Sequence, residues 1–271
     1  MRAFSVAVLV TVATIFGFSG VAVAAPHDYC ADLKGSNTGD KCEINLSDPA
    51  YSVDITMPMH YPDQKSMADY ISKTRDGFLN VAKSSTARST PYALRIKPTE
   101  YSSAIPPRGT QTVVFKTDQN VGDAHAQTTF KAFNWDQSYR KAIIYTAAPD
   151  DKENVPLWRV DDPLKTVAPI VQAELQQQLA PPPPVAPPTP SAQPGQPATT
   201  TSTTTSTTTP PPPPPPLPIA PTALYNPANY QNFAVVNDGV IFFFDQGVLL
   251  PDSVGALQVM VPRSAIDPMI A

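Results

Sequence analysis

Few residues in this chain could do chemistry, and their spacing decides what that chemistry could be. Two cysteines, Cys30 and Cys42, bracket the turn-rich stretch YCADLKGSNTGDKC. Outside the cell, two thiols this close across Gly35, Ser36, Asn37 and Gly39 read as a disulfide. Free thiols or half of a metal site are the alternatives, but no Cys or His pair completes a zinc set. The histidines are His27, His60 and His125. Of these, His125, two residues after Asp123 in VGDAHAQTTF, is expected in a turn between predicted strands, within reach of a serine. An α/β-hydrolase holds its serine on a G-x-S-x-G elbow, and the chain has no such motif. A triad assembled across the fold needs no elbow, so His125 stays a candidate, against the ordinary reading of a solvated turn histidine. Asp161-Asp162 read as helix caps, with metal binding as the alternative. Trp135, Asp136 and Tyr139 in FNWDQSY mix aromatic and acidic groups as a sugar-binding edge does, although alternating burial of Phe133 and Trp135 accounts for them equally. No residue is assigned a catalytic, cofactor-binding or metal-binding role, and no cofactor is expected.

These residues have to be carried by a body outside the cytoplasm. The chain opens with Arg2, continues through apolar VAVLVTVATIFGFSGVAV and reaches Ala22-Val23-Ala24, the pattern of a signal peptide over residues 1–24. Its removal shifts the formal net charge from −4 to −5. With no dense run of Lys or Arg, that balance argues against a nucleic-acid partner. No later stretch reaches the roughly 18 apolar residues of a spanning helix, so no transmembrane anchor is expected after cleavage. In VIFFF the aromatic density reads as core rather than as a membrane wedge. Asn45-Leu46-Ser47 fits the N-glycosylation pattern.

Between Glu174 and Asp238 there is no charged residue, and 18 of the 34 prolines fall between Pro181 and Pro221. Proline removes a donor and pushes its predecessor toward extended backbone, so residues 180–218 are expected to be disordered, in coil and polyproline II. Clustered Thr and Ser beside Pro also make a candidate O-glycosylation tract.

YSVDITM alternates as a half-buried strand, ended by Pro58 and Pro62. Asp63 then caps a helix to about Lys83, with Met67, Tyr70, Ile71, Thr74, Phe78 and Val81 on one face. YALRI, TQTVVFK and TTFKAFNW are expected strands, separated by Pro98, by Pro106-Pro107-Arg108-Gly109 and by a turn at Asn120 to Gly122. A second helix should start at Asp162-Pro163 and present Leu164, Val167, Val171, Leu175 and Leu179, beginning late or kinking at Pro169. NFAVV, then Asn237-Asp238-Gly239, then VIFFF form a hairpin, and LQVMV a last strand. Three strands alone cannot bury both faces of Phe242, Phe243 and Phe244. Residues 25–179 and 219–271 are therefore expected to form one α+β domain, an antiparallel or mixed sheet with two packed helices, interrupted by the tract.

The segments YCADLKGSNTGDKC, SDPAYSVDITMP, YPDQKSMADYISKTRDGFL, SAIPPRGTQTVVFK, FKAFNWDQSYRK, PIVQAEL, NPANYQNFAVVNDGVIFFF and VPRSAID together resemble the mycobacterial secreted immunogenic antigens of the MPT sixty-four type. The resemblance implies a secreted α+β fold whose C-terminal half is similar to the extracellular domain of the lysozyme-sensing sigma V anti-sigma factor. It spans nearly the whole chain and fails at Ala180 to Pro218 and at Ala148 to Arg159. The expected function is that of a secreted, monomeric, non-enzymatic binding protein, extracellular or envelope-associated, with an unknown protein or envelope ligand, in a pathogen one of the host. A lipid or cell-wall ester hydrolase is the alternative.

Overall fold

The computed structural model describes residues 27–84, 91–104, 109–122, 126–148, 150–180 and 219–271. The signal segment, the proline and threonine tract and the His125 turn lie outside the described residues.

Eight strands form the larger sheet in chain order: β1 (Ser36–Asn37), β2 (Lys41–Asp48), β3 (Tyr51–Pro58), β4 (Tyr92–Ser103), β5 (Thr110–Asn120), β6 (Gln127–Asp136), β7 (Lys141–Ile144) and β8 (Asn154–Pro156). Neighbours are antiparallel except β3 with β4 and β7 with β8. The parallel β3–β4 pair is bridged by a helix, α2 (Gln64–Ser84), which follows the single turn α1 (Tyr29–Asp32). The Asp63 carboxylate accepts from the Ser66 N–H at 3.1 Å, as expected of a helix cap. Inward-facing Met67, Ile71 and Phe78 pack on Val53, Ile55, Leu94, Ile96 and Phe115. Val81 is 45% exposed, and Ala82 takes the buried position expected of it.

Pro98 does not divide two strands; it lies inside β4, opposite Phe115. Pairing with β3 stops at Ile96, so β4 is an edge on that side, where a sheet tolerates a residue without an N–H.

A second, antiparallel sheet joins β9 (Phe233–Val236), β10 (Gly239–Phe244) and β11 (Leu257–Pro262), with β10 central. The hairpin turns on Asn237-Asp238, and Gly239 is required because a Cβ there would stand 2.0 Å from the Val261 carbonyl oxygen. One face of this sheet buries Phe242, Phe244, Val259 and Val261 against a helix, α3 (Leu164–Gln178). The other buries Phe243 and Ala234 against Val114 of the larger sheet, with Phe130 and Tyr101 at the side. Asn134, buried between the layers, accepts from the Thr112 hydroxyl at 2.6 Å and donates to the Phe233 carbonyl at 2.9 Å. Two short turns of helix, α4 (Pro221–Leu224) and α5 (Arg263–Ile266), complete the layer. The protein is a single α+β domain with a large mixed sheet.

α3 starts one residue later than expected. Pro163 itself is the cap residue, with helical angles and no side-chain cap bond, which leaves Asp162 too far out to cap. The Asp162 carboxylate instead lies 3.3 Å from Lys165 Nζ. The helix runs through Pro169, which is exposed, so water can satisfy the carbonyl that loses its N–H partner. Leu179 falls beyond the helix and is 40% exposed.

Candidate functional site

Cys30 and Cys42 are bonded to each other and buried, tying α1 to β2. Gly35 lies against the bridge: a Cβ there would meet Cys42 Sγ at 2.4 Å and Cys30 Sγ at 3.0 Å. The role of this pair is structural.

His27 and His60 are both exposed and each meets one carboxylate: His27 Nε2 lies 2.5 Å from Asp32, and His60 Nε2 lies 3.0 Å from Asp40. Neither is joined to a serine by a hydrogen bond among those described. Phe133 and Trp135 pack at the side of the α2 core. Asp136 is fully buried, accepting from the Ser138 and Tyr139 N–H groups at 2.8 Å. Phe133, Trp135 and Asp136 are thus accounted for by packing and by the turn, while Tyr139 is 65% exposed. Phe242, Phe243 and Phe244 are all core. Among the described residues no group of three or more His, Cys, Asp or Glu could hold a metal, and no helix is long and apolar enough to cross a membrane.

A concavity of about 480 Å³ sits where three segments meet. Tyr145, Thr146 and Ala147 leave β7; the run from Pro156 to Leu164 links β8 to α3; Tyr225 and Pro227 belong to the chain that re-enters after the tract. The middle segment is clamped on both sides. The Leu157 N–H donates to the Ile144 carbonyl at 2.7 Å, while the Arg159 N–H donates to Met269 and the Ala271 N–H to Leu157, each at 2.9 Å. The Arg159 Nε also donates to the Ile270 carbonyl at 2.5 Å. This clamp fixes Trp158, whose ring stacks on Phe242 and meets Tyr145 edge-on.

Two buried polar atoms at this cleft, the Tyr145 hydroxyl and Trp158 Nε1, have no hydrogen-bond partner. Buried Tyr and Trp normally find one, and leaving a donor unmatched costs about 1–3 kcal/mol. Nearby Tyr230 is the ordinary case, its hydroxyl donating to the Leu224 carbonyl at 2.7 Å. Burial and, after it, the Asp162 charge push the Tyr145 hydroxyl up to about 12, against the opposing pull of the Trp158 indole N–H beside it. The hydroxyl and the indole N–H are thus each other's neighbours, paired loosely rather than in good hydrogen-bond geometry. At neutral pH it stays a proton donor. Around these donors stand the Asp161 and Asp162 carboxylates and Tyr225, which is 48% exposed.

A second concavity, about 320 Å³, opens between the two sheets and is apolar, lined by Tyr101, Val114, Phe130, Phe243 and Leu257, with Lys116 beside them.

The sequence reading missed the first cleft. It took Asp161 and Asp162 for caps, and it could not see that Tyr145, Trp158 and Tyr225 converge from three separated segments.

Residues 157–264 match a family described as protein of unknown function (DUF3298). The chain is 49% identical over 264 residues to immunogenic protein MPB64 of Mycobacterium bovis and to immunogenic protein MPT64 of Mycobacterium tuberculosis, covering 97% of this chain and 97% of each relative. It is 36% identical over 264 residues to esterase Rv3036c of Mycobacterium tuberculosis, covering 97% of this chain and 96% of that protein. Two solved DUF3298 proteins align at low identity. One, from Bacteroides fragilis, has a TM-score of 0.45 at 11% identity over 86% of this chain and 92% of its own. The other, from Pseudomonas aeruginosa, has a TM-score of 0.44 at 9% identity over 85% and 92%.

Proposed function

The chain belongs to the family of immunogenic proteins that includes MPB64 and MPT64, and we propose from that premise that it is a secreted antigen acting outside the cell as a monomeric, non-enzymatic binding protein. The observation that carries this reading is the cleft beside Tyr145 and Trp158: a concavity of about 480 Å³ on a hydrogen-bonded floor, walled by Arg159, Asp161, Asp162 and the exposed ring of Tyr225. A concavity of this size supports the reading, since small-ligand sites span roughly 300–1,000 Å³. Its partner would come from the envelope or the host, and the disulfide would keep the N-terminal segment folded outside the cytoplasm.

A carboxylesterase-type hydrolase is the second reading, favoured by the 36% identity to a protein named esterase. In it His125 would serve as the base for a serine not yet recognised.

Two measurements on the purified full chain separate these readings. Hydrolysis of p-nitrophenyl esters of graded acyl length, with and without a serine-directed phosphonate, is expected to show no inhibitable turnover above a denatured control. Binding of envelope and host extracts to the immobilised protein is expected, and should weaken in Asp162→Asn and Tyr225→Ala. Phosphonate-sensitive turnover, abolished in His125→Ala, would instead establish the hydrolase.

A further inference from the structure

We propose that the slot between the two sheets holds one straight acyl chain, and that its ligand is a free fatty acid with the carboxylate at the mouth. The slot shares no lining residue with the cleft at Tyr225, so this is a second site, independent of the reading above.

The lining is sorted by polarity. Val114 of β5 and Phe243 of β10 are buried, while Tyr101 of β4 and Phe130 of β6 flank Phe243 with ring centroids 5.9 and 5.2 Å away and stay half-buried. The polar side chains of the lining, Thr99, Lys116 and Gln258, are all exposed. Apolar inside and polar outside is the order of an amphiphile. Facing sheets ordinarily interdigitate and leave few voids larger than a water molecule, yet about 320 Å³ stays unfilled here. Water in that space gains no hydrogen bond from Val114, Phe130 or Phe243, so a hydrocarbon chain displaces it favourably. The volume is at the low end of small-ligand sites, roughly 300–1,000 Å³, and suits one chain rather than two. A sugar would leave its hydroxyls without partners against this wall, and a peptide its backbone N–H and C=O groups.

Lys116 selects the head group. It stands opposite Phe130 in the β5–β6 register and opposite Lys97 in the β4–β5 register. Lys97 is drawn away toward β3, donating to Asp54 at 2.6 Å and to the Thr56 hydroxyl at 3.1 Å. The Lys116 ammonium keeps a looser contact, 3.4 Å to an Asp118 oxygen that also accepts from the Thr128 hydroxyl at 2.7 Å. Asp245, the other carboxylate near this wall, accepts from the Phe130 N–H at 2.6 Å, at the edge of β6 that faces away from β5. An ammonium has three donors, so Lys116 can serve Asp118 and a ligand carboxylate together. With its side chain 52% exposed, it contributes orientation and a modest preference for a carboxylate, while the chain supplies the affinity.

The test is calorimetric titration of lipid-stripped full-length protein with octanoate, decanoate and dodecanoate below their micelle concentrations. One-to-one saturable binding is expected, tightening about fourfold per added methylene. In methyl-labelled protein, decanoate should move the Val114 and Leu257 signals and leave Val171, in the α3 core, in place. Monodecanoylglycerol, with the same chain and a neutral head, should bind more weakly than decanoate. Lys116→Gln should weaken decanoate about threefold and leave the glyceride unchanged. Absence of saturable binding, affinity that ignores chain length, movement of Val171 equal to that of Val114, a glyceride that binds as tightly as decanoate, or decanoate binding unchanged in Lys116→Gln would each overturn the proposal. So would concentration-dependent movement of the same methyl signals without lipid, which would assign the slot to a second copy of the chain.

Discussion

Asp245 is a carboxyl whose burial and ionisation pull against each other. For Asp245, burial raises the carboxyl above its ordinary 3.8, while the Phe130 N–H it accepts at 2.6 Å pulls the other way. A carboxyl raised in the folded state contributes stability that is full below 3.8, where both states are protonated, and is lost as pH climbs through the raised value. Asp245→Asn keeps an oxygen for the Phe130 N–H and carries no charge. It should melt at a higher temperature than wild type at neutral pH and show a flatter profile across the acid range; a thermal melt series over pH checks this. Gly35 is constrained by packing instead. Its missing Cβ makes room for the Cys30–Cys42 bridge, so Gly35→Ala should lower stability by about 1–3 kcal/mol in urea titrations, as overpacking does. The bridge itself was legible, since two cysteines around a turn-rich loop leave few alternatives. The reason for Gly35 was not, because the sulfur atoms that crowd it come from either side of the loop.

At the scale of elements, periodicity carried the reading where one face is buried and failed where burial is shared. α2 and the β9–β10 hairpin were legible because Met67, Ile71 and Phe78, and the Asn237-Asp238-Gly239 turn, are local signals. β7 and β8 escaped notice because four and three residues are too short to show a period. β2 carried its signal in alternating Cys42, Ile44 and Leu46, but the turn-rich stretch before it drew the reading away. β10 shows the limit most clearly: three consecutive phenylalanines say that both faces are buried, without saying by what. Phe242 and Phe244 face α3, and Phe243 alone enters the layer between the sheets beside Phe130 and Tyr101. Phe243→Ala should therefore cost about 3–5 kcal/mol, read as a lower urea midpoint. It should also loosen the small sheet from the large one, seen as faster amide exchange in β9 and β10 than in α2.

For the whole molecule, the question is whether the proline and threonine tract joins two bodies or interrupts one. We propose the latter. The chain after the tract supplies β9, β10 and β11, but both surfaces that cover them, α3 on one side and β5 with β6 on the other, come from before it. Standing alone, this three-stranded sheet would have no second layer to cover Phe242 and Phe244 on one face or Phe243 on the other. Residues 219–271 expressed alone are thus expected to be unfolded by circular dichroism. Replacing residues 181–218 with a flexible linker of about six residues should leave the fold intact. By the closure estimate for a flexible loop, that shortening removes roughly 1.5 kcal/mol of ordering entropy, so the melting temperature should rise slightly. A folded C-terminal fragment, or a marked loss of stability on excision, would mean that the tract links independent units.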